Sequence, residues 1–303
     1  MRRTFPLSAW LVLLATLLLW SGNWIVARAV RDDISPGIAT AGRLLIVLLV
    51  LLPFTFKSLL NKLQKTTPHA WRNLFALGFF GGGVHLGLQW LGLHYTTASS
   101  GMLYLSTAPI FVLLMARPML GEPISARQWG GVAISFGGVF LIATQGRPQA
   151  FRFNIGDLMA LASMAMWAGY TIFLRLRRDS LGTVELIVVV CMFGLLYMAP
   201  WALWDVLHGA KTKLTTNGII AVLYSAFGSL LLAYAGWSYV VTRLGAARAG
   251  ATMHLMPAFG VLLSAIFLAE YPHWFHFAGI ALILAGVGLS AWRPAAQSLS
   301  GRQ

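Results

Sequence analysis

The sequence predicts an all-α integral membrane protein whose ten transmembrane helices form two inverted five-helix repeats. Of the 303 residues, 58% are hydrophobic and 10% are charged, whereas soluble domains contain about 25% charged residues. Apolar runs long enough to cross a bilayer recur along the whole chain, which is typical of membrane-spanning helices. Loop charge and an internal repeat supply the count and the arrangement of these helices.

The apolar runs place the ten predicted helices, in order, at approximately 7–30, 36–56, 71–94, 98–116, 127–145, 154–175, 184–207, 217–242, 247–269 and 273–292. The first run continues past Trp24 without a small-residue cleavage site, so we interpret it as a retained helix and not as a signal peptide. The connections are short. The chain is therefore predicted to be one membrane domain, with residues 1–146 as the first repeat and 147–303 as the second.

The basic residues predict the orientation of the helices. With the N-terminus inside, the inner segments hold 15 of the 22 Lys and Arg residues, the outer segments hold 6, and Arg43 lies within the second span. Cytoplasmic loops of membrane proteins carry such an excess, so both termini are predicted to be cytoplasmic. The net charge of +14 is thereby assigned to topology beside a lipid bilayer, and no nucleic-acid partner is expected.

The two halves of the chain share residues at an offset of 147 or 148. The matching pairs are Trp20 with Trp167, Gly22 with Gly169, Arg28 with Arg175, Pro109 with Pro257, Glu122 with Glu270, Gly131 with Gly279, and Gly138 with Gly286. Such a run indicates duplication. Because five helices is an odd number, the second copy is predicted to cross the membrane in the opposite sense, as in transporters built from inverted repeats.

Each half carries a Trp-x-Gly phrase in its first helix and a Pro-x12-Glu phrase across its fourth. With these motifs the chain resembles, over essentially its whole length, the EamA-type transporters of the drug/metabolite transporter superfamily, and most of all the YddG-like aromatic amino acid exporters. The resemblance implies a basket of ten helices around a central cavity in the bacterial inner membrane. It also implies export of amino acids or similar metabolites, with no cofactor.

Aromatic and polar side chains within the spans are predicted to line the cavity, because polar groups at such depth usually face the interior of the bundle. The candidate substrate-binding residues are Trp20, Asn23, His85, Gln89, Tyr104, Trp167, Tyr170, Trp237 and His254. Indole and phenol rings can stack on planar groups or contact an ammonium group. For each residue the alternative is packing or hydrogen bonding between helices.

Prolines and glycines within the spans predict backbone features. Pro109 and Pro257 are predicted to bend the fourth and ninth helices and to free backbone carbonyl groups. In "GFFGGGVHLG", the small residues recur at four-residue spacing from Gly78 to Gly82 and from Gly83 to Gly87. This spacing predicts close helix packing. Arg43 is predicted to extend towards the membrane surface, or else to attract a substrate carboxylate.

The remaining residues favour a secondary transporter over other classes. All Asp and Glu residues fall at span ends or in loops, so proton coupling would have to use His85 or His254, since histidine titrates near neutral pH. No nucleophile or metal motif indicates an intramembrane enzyme, and no G-K pair indicates an ATP-driven pump. The hypothesis is alternating access for a small neutral or aromatic amino acid by a functional monomer. Cationic drugs and nucleoside-like metabolites remain alternative substrates.

Overall fold

A computed structural model describes residues 7–96, 104–105, 107–121, 123–150, 154–210, 212–213, 215–267 and 273–291. Within these ranges the chain is helical and contains no strand, so the all-α prediction is confirmed. The longer helices of the described residues are α1 (Leu7–Ala29), α2 (Pro36–Leu63), α3 (Pro68–Tyr95), α4 (Ala108–Leu120), α5 (Ala126–Ala143), α6 (Ile155–Leu176), α7 (Thr183–Leu207), α8 (Thr216–Leu244), α9 (246–267) and α10 (Trp274–Ala291).

Six of these helices are long and apolar enough to cross a membrane, namely α1, α2, α3, α6, α7 and α8, and α4 and α10 are shorter apolar helices. The chain exposes many large apolar side chains, among them Phe54 at 85% and Leu196 at 61% of their accessible area. A surface of this kind is excluded from water in soluble proteins but is suited to lipid. The exposed apolar side chains therefore face the bilayer.

Side chains at the helix ends explain where several helices begin. The hydroxyl groups of Ser35 and Thr67 each accept a hydrogen bond from the backbone of the first helical turn, and a proline follows each of them. Both features favour helix initiation. Asn154 forms a reciprocal capping box with Asp157 at the start of α6. The helix α2 continues beyond its predicted end at residue 56 to Leu63, because neither glycine nor proline follows in the chain until Pro68.

Two helices contain π-helical segments at corresponding places. In α3 the segment is Gly78–Val84, and in α8 it is Ser225–Leu232. Their bounds differ by 147 and 148 residues, which are the offsets found between the two halves of the sequence. A π turn leaves some carbonyl groups without their usual partner in the helix and is often found at functional sites. Backbone carbonyl groups of these two segments are therefore available to accept hydrogen bonds from other helices.

The helix contacts also correspond between the halves. The helix α2 packs along α7 and α5 along α10, while α1 packs on α8 as α6 packs on α3. Between α5 and α10, Gly131 lies against the carbonyl oxygen of Gly286, and Gly138 lies against that of Gly279. The two contacts are equivalent, because Gly131 corresponds to Gly279 and Gly138 corresponds to Gly286 at the 148-residue offset.

The predicted close packing of the α3 glycines is confirmed. Gly82 lies against Gly194 of α7, and a β-carbon on Gly82 would come within 3.2 Å of the α-carbon of Gly194. Gly83 packs against Tyr197 of α7, and Gly87 packs against Met198 and Trp201 of α7. Small residues let two backbones approach closely in a membrane. They therefore hold α3 against α7 and fix the position of the π segment.

Candidate functional site

Two tryptophans meet at the centre of the helix bundle. Trp20 of α1 and Trp167 of α6 are equivalent by the 147-residue offset, and their rings lie edge to face with centroids 4.8 Å apart. Edge-to-face geometry is a favoured arrangement of aromatic rings. Since equivalent residues of the two halves contact one another here, this pair marks the place where the halves face each other.

Three further rings complete what we call the aromatic cluster, which consists of Trp20, Trp167, Tyr170, Tyr234 and Trp237. The centroid of Trp237 lies 5.4 Å from that of Trp20 and 5.6 Å from that of Trp167. Tyr234 lies 5.4 Å from Trp167, and Tyr170 lies 5.1 Å from it. All five side chains are buried. The cluster therefore joins α1, α6 and α8 across the two halves.

The π segments bind the aromatic cluster through their carbonyl groups. The indole N–H of Trp20 donates a hydrogen bond to the carbonyl of Ser229 at 3.1 Å. The hydroxyl of Tyr234 donates to the carbonyl of Gly81 at 2.6 Å. Residues 81 and 229 are themselves related by the 148-residue offset. Each π segment thus satisfies an aromatic donor from the other half of the chain.

His85 connects α3 to α6 beside these rings. Its Nδ1 lies 2.9 Å from both the carbonyl oxygen and the hydroxyl oxygen of Ser163, and that hydroxyl donates to the carbonyl of His85 at 3.0 Å. A carbonyl oxygen can only accept, so Nδ1 carries a proton in this arrangement. The ring centroid lies 5.1 Å from that of Trp167. A neutral His85 is left with Nε2 as an acceptor.

A small cavity lies among these residues. Its free space is about 20 Å³, which is room for roughly one water molecule. The space among these side chains is therefore too small for a larger solute, which could enter only if the helices moved apart. The lining residues are Trp20, Trp24, His85, Leu86, Gln89, Leu105, Met164, Trp167, Ser229, Tyr234, Met253 and Met256.

Four of the predicted substrate-binding residues line this cavity, namely Trp20, His85, Gln89 and Trp167. The lining residues that were not predicted are mostly methionines and leucines, which carry no polar signal in an apolar span. Trp24, Ser229 and Tyr234 are the exceptions, and Tyr234 lies three residues before Trp237, on the same helix face. Met164 has the same relation to Trp167. Helical spacing from a predicted tryptophan was therefore the signal that could have found them.

The other predicted residues lie outside the lining of this cavity. Tyr170 and Trp237 stand behind it in the aromatic cluster, and the indole of Trp237 donates to Thr171 at 3.3 Å. Asn23 accepts a hydrogen bond from the hydroxyl of Ser225 at 2.6 Å. Tyr104 and His254 are buried. Their contact with a substrate in an open conformation stays a prediction.

The two prolines occupy different positions in their helices. Pro109 lies in the first turn of α4, where proline favours the start of a helix. Tyr104 and Leu105 are helical and Thr107 lies in a turn, but residues 97–103 and 106 lie outside the described residues, so the bend of the fourth helix stays a prediction. Pro257 lies two residues after a 3₁₀ turn at Met253–Leu255 and next to Met256, whose carbonyl accepts a hydrogen bond from the hydroxyl of Ser21 at 3.1 Å. Here the backbone of α9 departs from α-helical geometry beside the cavity.

Arg43 does not extend to the membrane surface, contrary to the first expectation for it. Its side chain is fully buried between α2 and α3, where Nη2 donates to the carbonyl of Leu86 at 3.2 Å. The guanidinium carbon also lies 5.3 Å from the ring centre of Trp90. The Arg43 side chain does not reach the membrane surface because α3 and α7 pack against α2.

The carboxylates of the described residues lie at helix ends. Glu185 accepts hydrogen bonds from Ser58 and Lys62 and joins α7 to the end of α2. At another helix end, the hydroxyl of Thr96 donates to Asp157. Nearby, Arg28 donates to the carbonyl of Thr96 at 2.6 Å. These groups tie neighbouring helices together away from the aromatic cluster.

A family model and several known proteins match this chain. The model of the EamA-like transporter family matches residues 7–144 and again 154–292. The chain belongs to the EamA-like transporter family. Among the relatives of this EamA-like chain is an uncharacterised transporter of Archaeoglobus fulgidus, which is 26% identical over 92% of the chain and 96% of its own length.

A second relative is named a probable terminal-alkyne amino-acid exporter, from Streptantibioticus cattleyicolor. It is 25% identical over 67% of the EamA-like chain and 66% of its own length. A solved crystal structure superposes with a TM-score of 0.72 at 21% identity and covers 94% of the chain and 96% of that structure. This likeness shows the fold. Together with the family match, it makes the aromatic cluster the interior of a membrane transporter.

The π segment of α3 gives a first testable prediction for this EamA-like chain. A β-carbon on Gly81 would lie 2.7 Å from Cγ of Tyr170, whereas one on Gly228, the glycine of the π segment in α8, would meet no atom closer than 3.5 Å. We expect Gly81→Ala to displace the Tyr170 ring, to destabilise the protein by about 1–3 kcal/mol and to slow transport. Gly228→Ala should change neither property.

Thermal unfolding in detergent and uptake into proteoliposomes measure the two effects of this pair. Both variants add one methyl group to a buried glycine of a π segment, so they differ only in what surrounds it. Equal stability and equal uptake for the two variants would contradict the assigned position of Tyr170 against Gly81.

Proposed function

We propose that this protein is a secondary transporter that exports neutral or aromatic amino acids and similar small metabolites by alternating access. The observation that carries the proposal is the small cavity, which is lined by aromatic rings and by the polar residues His85, Gln89 and Ser229. The rings of Trp20 and Trp167 bind the apolar part of the solute, and His85 and Gln89 form hydrogen bonds with its polar groups. The name of the Streptantibioticus cattleyicolor relative favours an amino acid as the solute.

Alternating access follows from the proposed relation between the halves. Residues 1–146 and 147–303 form two inverted repeats, so each helix of one half has a counterpart of opposite direction. Three features support this relation: the matched π segments, the contact between Trp20 and Trp167, and the exchanged glycine contacts of α5 and α10. When the two halves exchange conformations, a cavity that is open to one side becomes open to the other.

The proposed setting is the inner membrane of a bacterium, with both termini in the cytoplasm. The excess of Lys and Arg in the predicted inner loops supports this orientation. A single chain encloses the cavity with its own helices, so the functional unit is a monomer. No cofactor takes part in the proposed cycle.

The alternative substrates are cationic drugs and nucleoside-like metabolites. Aromatic faces attract cations with about 0.5–2 kcal/mol, and the buried rings of the aromatic cluster offer several such faces. An intramembrane enzyme is disfavoured, because the family and its named relatives are transporters. Transport of labelled compounds separates these substrate classes directly.

The test is the uptake of labelled amino acids by proteoliposomes that contain the purified full-length protein. The panel contains phenylalanine, tryptophan, leucine and alanine, and each is measured with and without an imposed pH gradient. Protein-free liposomes provide the background. Saturable uptake of at least one of them supports the proposal.

The effect of the gradient then distinguishes two forms of the mechanism. Uptake that ignores the gradient indicates facilitated diffusion. Uptake that the gradient drives indicates proton coupling, with His85 and His254 as the groups to substitute next. Uptake of an organic cation or a nucleoside, but of no amino acid, would overturn the amino-acid proposal in favour of that alternative class.

A further inference from the structure

Arg43 is a buried cation with most of its donors unused. A guanidinium has five N–H donors and stays charged inside proteins. Nη2 donates to the carbonyl of Leu86, but Nε and Nη1 have no hydrogen-bond partner among the described residues. The side chain is 0% exposed. An unpaired charge at this depth of a membrane is costly and usually marks a functional group.

None of the carboxylates in the described ranges forms an ion pair with Arg43. Each of them has another position: Asp32 is paired with Arg31, Asp33 accepts from Thr215, Asp157 from Thr96, Asp179 from Arg177 and Glu185 from Lys62, while Asp205 lies against Gly37 at the far end of α7. The stacking of the guanidinium over Trp90 balances part of the charge. It leaves the donors on Nε and Nη1 free.

The guanidinium lies directly behind the cavity wall. Leu86, whose carbonyl receives Nη2, is one of the lining residues, and Trp90 follows the lining residue Gln89 in α3. At Leu86, α3 therefore lies between the guanidinium and the cavity.

We propose that Arg43 is the carboxylate-binding residue of this transporter, and that its transported solutes carry a carboxylate group. The inference rests on the proposed function and names the chemical group that the site recognises. A carboxylate matches the paired donors of a guanidinium and supplies the missing negative charge. The solute would then lie with its carboxylate at α2 and α3 and its apolar part against Trp20 and Trp167.

The inference also predicts the orientation in which a solute binds. The residue of the second half that corresponds to Arg43 is Cys191, which is neutral and buried in α7. The two halves therefore offer one guanidinium between them and not a symmetric pair. A zwitterion binds in one orientation, because among the described residues the guanidinium lies behind one lining residue, Leu86, while its counterpart Cys191 is neutral.

The experiment compares an amino acid with its carboxamide, which keeps the amino group and the side chain but has no negative charge. The amino acid is the one taken up best from the panel, and both compounds compete with its labelled form in proteoliposomes. For the unmodified protein we expect the half-inhibition concentration of the carboxamide to be at least about tenfold higher than that of the amino acid, since a charged hydrogen bond is lost. Half-inhibition at equal concentrations would overturn the inference.

Two variants locate this preference at Arg43. In Arg43→Met the ratio of the two half-inhibition concentrations should fall to within about twofold, and Arg43→Lys should keep an intermediate ratio because it keeps the charge. Arg31→Met removes the same charge from an exposed position and should leave the ratio unchanged. If Arg43→Met keeps the ratio of half-inhibition concentrations of the unmodified protein, the assignment of carboxylate binding to Arg43 is overturned.

The comparison of the two compounds on the unmodified protein needs no variant, so it remains decisive even when Arg43→Met does not fold. Failure of the inference is distinct from failure of the proposed function. When no amino acid is taken up at all, the proposed function fails and the inference falls with it. When the amino acid and its carboxamide compete equally well, amino-acid transport stands and the role of Arg43 alone is refuted.

Discussion

Replacement of Trp167 by alanine is expected to lower the rate of amino-acid uptake by at least about tenfold per folded molecule. Its ring contacts four other members of the aromatic cluster and the ring of His85. Each aromatic pair contributes about 0.5–1.5 kcal/mol, and a tenfold change in rate corresponds to about 1.4 kcal/mol. The loss of one cavity wall together with several pairs is sufficient for this effect.

The effect on transport has to be separated from loss of fold, because truncation of a buried tryptophan destabilises proteins by about 3–5 kcal/mol. Uptake is therefore normalised to the monodisperse fraction seen by size-exclusion chromatography. Trp167→Phe keeps a ring in the same place and should retain a substantial part of the uptake. Trp204→Ala removes a tryptophan that is 61% exposed to the lipid side and should behave like the unmodified protein.

The role of the cluster as a substrate wall would be refuted by one result. If the folded fraction of Trp167→Ala takes up the amino acid within about twofold of the unmodified rate, then the ring serves packing alone. The other predicted lining residues, Trp20, His85 and Gln89, would then have to be considered as structural contacts between helices as well.

The helices of this fold could be predicted because their signal is local. A span needs about 20 apolar residues, and the run of α7 or the run of α1 shows this without reference to any other part of the chain. The pairing of Trp20 with Trp167 was also visible as a repeat, since duplication leaves the same residue at a fixed offset.

The π segments could not be predicted from the sequence. A π turn contains one residue more than an α-helical turn, and whether it forms depends on contacts with neighbouring helices and not on local propensity. The glycines at 81–83 indicated close packing correctly, but Ser225–Leu232 contains one glycine and adopts the same geometry. The hydrogen bond from Trp20 to the Ser229 carbonyl stabilises it from another helix. Only the folded bundle brings that donor to that carbonyl.

The candidate site was predicted in part for a related reason. Residue type identifies a polar or aromatic side chain, but the rotation of each helix decides whether that side chain faces the cavity. Gln89 and Trp90 are neighbours, yet Gln89 lines the cavity and Trp90 stacks on Arg43. Arg43 itself looked able to snorkel from its position in α2, and only the packing of α3 and α7 around it excludes that.

The second large effect is expected at the glycine contact between α5 and α10. A β-carbon on Gly138 would lie 2.5 Å from the carbonyl oxygen of Gly279 and 2.8 Å from the β-carbon of Leu282. Backbone atoms cannot rotate away as the end of a side chain can, so the two helices must separate. We expect Gly138→Leu to destabilise the protein by about 3 kcal/mol, the upper end of overpacking effects.

The neighbouring residue provides a matched control in the same helix. Gly137 faces outward, and a β-carbon there would meet no atom within 4 Å among the described residues. Gly137→Leu therefore adds the same side chain on the lipid side and should keep the thermal unfolding midpoint of the unmodified protein in detergent. Because Gly131 and Gly286 form the corresponding contact, Gly286→Leu should destabilise the protein as Gly138→Leu does. Equal midpoints for Gly137→Leu and Gly138→Leu would mean that α5 and α10 do not pack through these glycines, and the paired exchange of contacts between the halves would lose its strongest support.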